Sequence, residues 1–235
     1  KQNFEKLQLN DFDELEQYIL HKIYNINKSV ESNLKSYNFH KLYKDLLNFC
    51  TLDLSSFYFD IRKDVLYCDS LNSQKRKNCV VVLNIILESL LKWFAPILVF
   101  TTDEIYSLIN KNEKNIHEHL FVKVPKSWEN NKLNDKWDEL FKIKQEANIA
   151  IEAKRSSKEI GSSLEAEIKL SVNQNQFELL KNLDLAEYFI TSKAEKILSK
   201  NEKMKIVVNK ATGNKCQRCW KILEKKCERS ECPIN

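Results

Sequence analysis

Glycine and proline are almost missing, with two of the first and three of the second in 235 residues. Chains so poor in glycine rarely build all-β folds or phosphate-cradling loops, because both need positive φ or close backbone approach. No Gly-x-Gly-x-x-Gly, P-loop or nucleophile elbow occurs, so a nucleotide site of the glycine-rich type is excluded. Methionine occurs once, at Met204, and the first residue is a lysine, which is expected of a cut piece rather than a whole translated protein. No basic-then-apolar leader opens the chain. The longest apolar run is broken by Lys92 and Pro96, short of membrane-spanning length. These absences lead to the expectation of a mainly helical, soluble, cytoplasmic protein with no membrane partner.

What is present is ordinary in amount and informative in arrangement. Hydrophobic residues at 43% and charged residues at 30% suit a globular chain. The net charge of +5 permits a polyanionic partner without arguing for one.

Apolar residues recur at helical spacing over 11–35 (Leu15, Tyr18, Ile19, Ile23, Ile26, Val30, Leu34) and again over 39–59 (Leu42, Leu46, Phe49, Cys50, Leu54, Phe57). Residues 60–69 read as a less regular connection, and 71–73 as the cap of a third helix over 73–94. That helix is apolar over most of its circumference, as befits the middle of a bundle. Pro96 ends it. A fourth helix over 98–109, capped at Thr101 or Thr102, precedes a polar excursion over 110–134, and a fifth helix covers 134–155. Successive helices with short joints predict an antiparallel bundle. After Ser156 the pattern changes to period two: Leu164, Ala166, Ile168, Leu170 and Val172 share one face of a strand. Short helices over 176–183 and 186–190 and a strand over 205–208 complete a small α/β unit. The expected division is 1–155 for the bundle, 156–209 for the α/β unit and 210–235 for a cysteine tail.

Of seven cysteines, Cys50, Cys68 and Cys79 are scattered as small apolar residues, whereas Cys216, Cys219, Cys227 and Cys232 crowd into the last twenty positions. A Cys-x-x-Cys knuckle presents two thiolates to one metal, and a second pair completes the tetrahedral shell that zinc takes in structural sites. All four positions are then protein, leaving no open coordination site for a substrate. The other readings are a redox-active pair, which normally sits at a helix start after a βαβ pattern, or unrelated thiols. Metal binding would supply most of the folding energy of so short a tail. Lys215, Arg218, Trp220 and Lys221 surround the knuckle. Cations with an aromatic suit nucleic acid, the cations meeting phosphates and the indole stacking on an unpaired base. Packing of Trp220 over the knuckle, with the lysines serving solubility, is the alternative.

Other candidates reduce to structure. His117 and His119 read as solvated surface. Asp60 and Asp64 read as helix capping or partners for Arg62 and Lys63, and Asp103 with Glu104 as first-turn charge.

Several segments together resemble one family. The run Ser56-Phe57-Tyr58-Phe59-Asp60-Ile61-Arg62-Lys63-Asp64 and the run Trp93-Phe94-Ala95-Pro96 are similar to the anticodon-binding bundle of bacterial isoleucyl-tRNA synthetases. Downstream, Ile160-Gly161-Ser162-Ser163-Leu164-Glu165-Ala166 resembles the entry to that family's α/β junction domain, and Lys215-Cys216-Gln217-Arg218-Cys219-Trp220 the opening of its C-terminal zinc module. The Trp-x-Ala-Pro element is shared with valyl and leucyl relatives. The resemblance implies a class I synthetase bundle, a junction domain and a zinc finger that together read the anticodon of isoleucine tRNA. It implies one structural zinc on Cys216, Cys219, Cys227 and Cys232, and a parent, expected to be monomeric, that joins isoleucine to tRNA with ATP. The nucleotide signatures of class I enzymes are absent, so ATP would bind only in a missing catalytic domain, and this chain is expected to be non-catalytic. The alternatives are a zinc-stabilised protein-interaction module or the equivalent valyl or leucyl region. One departure stands out: Cys227 and Cys232 have four residues between them, where the family's second knuckle is Cys-x-x-Cys.

Overall fold

A computed structural model describes residue 4 and residues 7–111, 115–199 and 203–229. The chain falls into two compact units, Lys1–Arg62 with Leu71–Asn131, and Lys63–Ser70 with Lys132–Asn235.

The first unit is helical. Helix α1 spans Glu14–Lys35, α2 Phe39–Asn48, α4 Gln74–Phe94 and α5 Val99–Ile109. Both α2 and α4 begin with side-chain caps, Asn38 accepting from the Lys41 N–H and Ser73 from the Arg76 N–H. The core is drawn from α1, buried nearly all round at Tyr18, Ile19, Leu20 and His21 and again at Ile23, and from one side of its neighbours: Leu42 and Leu46 of α2, and Val82, Ile85 and Trp93 of α4. Helix α4 is more one-sided than its composition predicts, since Val80 and Leu87 are exposed. The fourth helix starts at Val99, so neither Thr101 nor Thr102 caps it. Thr102 lies inside the helix, its hydroxyl donating to the Leu98 carbonyl. Asp103, expected as first-turn charge, lies past the first turn of this helix and instead accepts from the Ile116 N–H, holding the start of the following excursion. His119 is hydrogen-bonded to the Tyr106 hydroxyl at 3.1 Å.

The expected connection at 60–69 is instead helical. After α2 the backbone runs as a π-helix over Phe49–Phe59 and then as α3 over Asp60–Cys68. The π stretch takes the place of the second half of the helix expected over 39–59. Buried positions step from Phe49 to Leu54, a gap longer than an α-turn, before Phe57, Tyr58 and Ile61 resume. Arg62, at the first turn of α3, is fully buried. It makes a forked pair with Glu16 at 2.6 and 2.5 Å, and Tyr58 donates to the same carboxylate. Burial pushes the Glu16 carboxyl up, and the Arg62 bonds and charge offset only part of that.

The second unit contains the C-terminal part of α3, helix α6 (Asn131–Ser156) and the small α/β unit. Strand β1 (Ala166–Val172) alternates as its sequence predicts, with Ala166, Ile168, Leu170 and Val172 fully buried. Helices α7 (Gln174–Leu179) and α8 (Leu185–Tyr188) lead to β2 (Lys193–Leu198), which pairs parallel with β1. Strand β3 (Lys205–Lys210) pairs antiparallel on the other edge, giving the order β2-β1-β3. Strand β2 is not expected from the sequence, since its positions are mostly exposed and mix charged with apolar residues rather than forming an apolar face. Helix α6 is fixed to this unit by Trp137 edge-on to Tyr188 and by Lys144, which donates to the Tyr188 carbonyl and lies over its ring.

Candidate functional site

Strands β4 (Asn214–Lys215) and β5 (Ile222–Leu223) form a two-residue ladder that closes a hairpin around Cys216 and Cys219. Gly213 enters it at φ +126, where a Cβ would meet the Leu223 carbonyl oxygen at 2.2 Å, so only glycine fits. Two backbone bonds shape the knuckle: the Cys216 N–H donates to the Lys221 carbonyl, and the Trp220 N–H to the Cys216 carbonyl, both at 2.9 Å. Trp220 takes φ +62 at the turn, and its side chain points outward, 61% exposed.

The Sγ atoms of Cys216, Cys219 and Cys227 lie within 4.8 Å of one another, and all three residues are buried. Cys232 lies outside the described residues. Without a cation, burial pushes the Cys219 thiol up to about 12, and the neighbouring Cys216 and Cys227 add to the shift. Three buried thiols packed against one another are a poor core but a good donor set. A bound zinc ion would hold them as thiolates and so offset their mutual repulsion. The three described thiols could serve as ligands to one metal ion.

The hairpin is mounted on the last turns of α3. Arg229 forks onto the Asp64 carboxylate at 2.8 and 2.7 Å and reaches Asp69 at 3.2 Å. Lys221 lies 3.7 Å from the same Asp64. The Arg218 guanidinium donates to the Tyr67 carbonyl at 2.9 Å, and Cys68 packs among Cys216, Cys219 and Cys227 with its thiol toward the Arg218 carbonyl. Burial alone would raise the Asp64 carboxyl, yet Arg229 and Lys221 outweigh it and hold it below the usual carboxylate range.

The four expected RNA contacts are thus differently placed. Arg218 and Lys221 serve the mount on α3. Lys215 is half-exposed, 3.9 Å from Glu165, and Trp220 presents its indole to solvent. Sequence reasoning missed Asp64, Tyr67 and Cys68 as the other half of the site. The available signal was an acid and a thiol at i, i+4 on the helix face that also buries Ile61 and Val65.

A helical unit followed by a small mixed sheet and a cysteine hairpin matches the architecture anticipated from sequence. The chain belongs to the family described as the anticodon-binding domain of tRNA ligase, whose model matches residues 16–170. Its relatives narrow that class. An isoleucine–tRNA ligase of Pelagibacter ubique (strain HTCC1062) is 57% identical over 229 residues, covering 97% of this chain and 25% of that protein. The isoleucine–tRNA ligase of Gluconobacter oxydans (strain 621H) is 35% identical over 225 residues, 95% of this chain and 23% of that protein. That of Bartonella quintana (strain Toulouse) is 36% identical over 231 residues, 94% and 24%. The chain therefore spans about a quarter of the length of these relatives. The family model stops before the cysteine hairpin, whereas alignments covering 94–97% of the chain extend far beyond it. Among the described residues, no helix is long and apolar enough to cross a membrane.

Proposed function

We propose that this chain is the part of an isoleucine–tRNA ligase that grips the anticodon arm of isoleucine tRNA. The parent protein joins isoleucine to that tRNA with ATP, in portions outside this chain. The observation that carries the reading is the family match over residues 16–170 combined with isoleucine–tRNA ligases aligned along nearly the whole chain. In the three-part division, 1–155 reads the RNA, 156–209 links, and 210–235 forms a zinc module on Cys216, Cys219, Cys227 and Cys232. The parent works as a monomer in the cytoplasm.

Trp220 is available to stack on an unpaired base and Lys215 to meet a phosphate. Arg218 and Lys221 hold the module on α3, and they reach RNA only at the module's rim. That engagement favours a structural zinc whose role is to fix the hairpin, since a metal that closes the knuckle also presents Arg218, Lys221 and Arg229 to Tyr67, Asp64 and Asp69.

The test is a salt titration of binding to isoleucine tRNA and to the same tRNA with altered anticodon bases. Binding is expected to weaken with salt and to weaken further with the anticodon changes. Equal affinity for unrelated tRNAs at physiological salt would refute specific anticodon reading. No retention of any tRNA, beside a tight protein partner, would replace it with the interaction-module reading.

A further inference from the structure

Four non-glycine residues with positive φ are found among the described residues, and two of them, Tyr37 and Trp220, are aromatic. Trp220 belongs to the cysteine hairpin. Tyr37 sits elsewhere, at the joint between α1 and α2, with φ +55 and 81% of its surface exposed. Its N–H donates to the Leu34 carbonyl and the Asn38 N–H to the Asn33 carbonyl, at 3.1 and 2.8 Å. Those paired bonds define the helix-ending motif whose left-handed position is normally glycine or asparagine. A tyrosine there costs backbone energy, and a ring so exposed recovers little of it through burial. Strain of this kind points to a task for the side chain.

The surroundings indicate the task. Helix α2 starts two residues later, and its outward stripe carries Phe39, His40, Tyr43 and Lys44, all exposed, while Lys35 is exposed in the last turn of α1. Aromatic faces interleaved with cations suit unpaired nucleotides, since every base has a π-face and every linkage a negative charge. We infer that Tyr37 is a stacking platform for an unpaired base of the bound RNA, with Lys35 and Lys44 meeting the flanking phosphates. This inference rests on the tRNA-binding reading above and extends it to a site on the first unit, remote in sequence from the cysteine hairpin.

The distinguishing property is that glycine should improve the fold and impair the binding. Fluorescence anisotropy would compare the wild type, Tyr37→Gly and Tyr37→Phe on two labelled RNAs, the isoleucine-tRNA anticodon stem-loop and a blunt duplex of equal length. Tyr37→Gly is expected to melt at or above the wild-type temperature. It should bind the stem-loop roughly 5- to 150-fold more weakly and the duplex unchanged. Tyr37→Phe should match the wild type on both. Unchanged stem-loop affinity in Tyr37→Gly overturns the inference, as does equal weakening on the duplex or a Phe variant as poor as Gly. A wild type that fails to bind the stem-loop sinks the tRNA-binding reading and this inference with it. A wild type that binds beside an unaffected Tyr37→Gly sinks the inference alone.

Discussion

Two ion clusters share the short helix α3, and they are built on opposite balances. At its start, Arg62 and Glu16 are both almost wholly buried, and burial dominates: the Glu16 carboxyl is raised even with a guanidinium forked onto it. Two residues later, Asp64 is partly open to solvent, and its partners dominate: Arg229 and Lys221 hold it below its ordinary range. The same chemistry, a carboxylate with an arginine fork, therefore has different consequences. In the first cluster the pair is bound into the helical core with Tyr58 as a further donor, so losing one member strands the other. In the second the pair ties down a hairpin with too little apolar surface to hold itself, and water can replace either partner.

The comparison can be broken most forcefully at Arg62. Arg62→Ala leaves Glu16 buried without its fork and should cost about 3–5 kcal/mol in urea unfolding of the helical unit, with zinc stoichiometry unchanged in the folded protein. A loss below about 1 kcal/mol would mean that the pair is no more committed than a surface bridge. The second cluster is better probed through its hairpin. Gly213→Ala places a methyl against the Leu223 carbonyl at a φ that alanine rarely adopts, which should cost about 1–3 kcal/mol locally. Zinc content by atomic absorption and protection of the tail from protease should fall, while the main unfolding transition stays in place. A shift of that transition instead would show that the hairpin supports the core.

The smallest effect sharpens the rule that exposure decides the balance. Asp45 on α2 accepts from Ser29 and Asn33 of α1 and from Lys41, within the helical unit but near its surface. Burial would raise its carboxyl, yet the bonds from Lys41 and Ser29 win and lower it, as at Asp64 rather than Glu16. A lowered folded value means the stabilisation is present above the ordinary value of 3.8 and is lost as pH falls through the folded one. Asp45→Asn should therefore cost on the order of 0.5 kcal/mol near neutrality. The difference from wild type should shrink toward zero as pH is lowered from about 5 to about 3. A pH-independent difference would assign the effect to lost packing.

Much of this was legible in the residues themselves. Apolar spacing located α1, α2, α4 and α6 because one face of each is buried, and strict alternation found β1 because one side of it is sealed. The knuckle cysteines declared themselves by crowding, and the structure brings Cys216, Cys219 and Cys227 together. What escaped was non-local or off-period. Strand β2 lies on a sheet edge and carries no apolar signature. The mount of the hairpin needs Asp64 and Arg229, 165 positions apart, so no local pattern could join them. Tyr37 falls between the two expected helices, and neither its exposure nor its φ can be read from residue names.

The π-helix over Phe49–Phe59 has a consequence for how this sequence can vary. Its hydroxyl side chains turn back onto the backbone, Thr51 to Leu47 and Ser56 to Thr51, so substitutions among these residues disturb a surface rather than a core. Deletion is another matter. Removing one residue from the stretch would rotate everything after it by about 100°. Arg62 would swing away from Glu16, which lies before the stretch, with no side chain altered. At Thr51 and Ser56 the number of residues is constrained more tightly than their identity, and tolerated variants there should be substitutions of equal length.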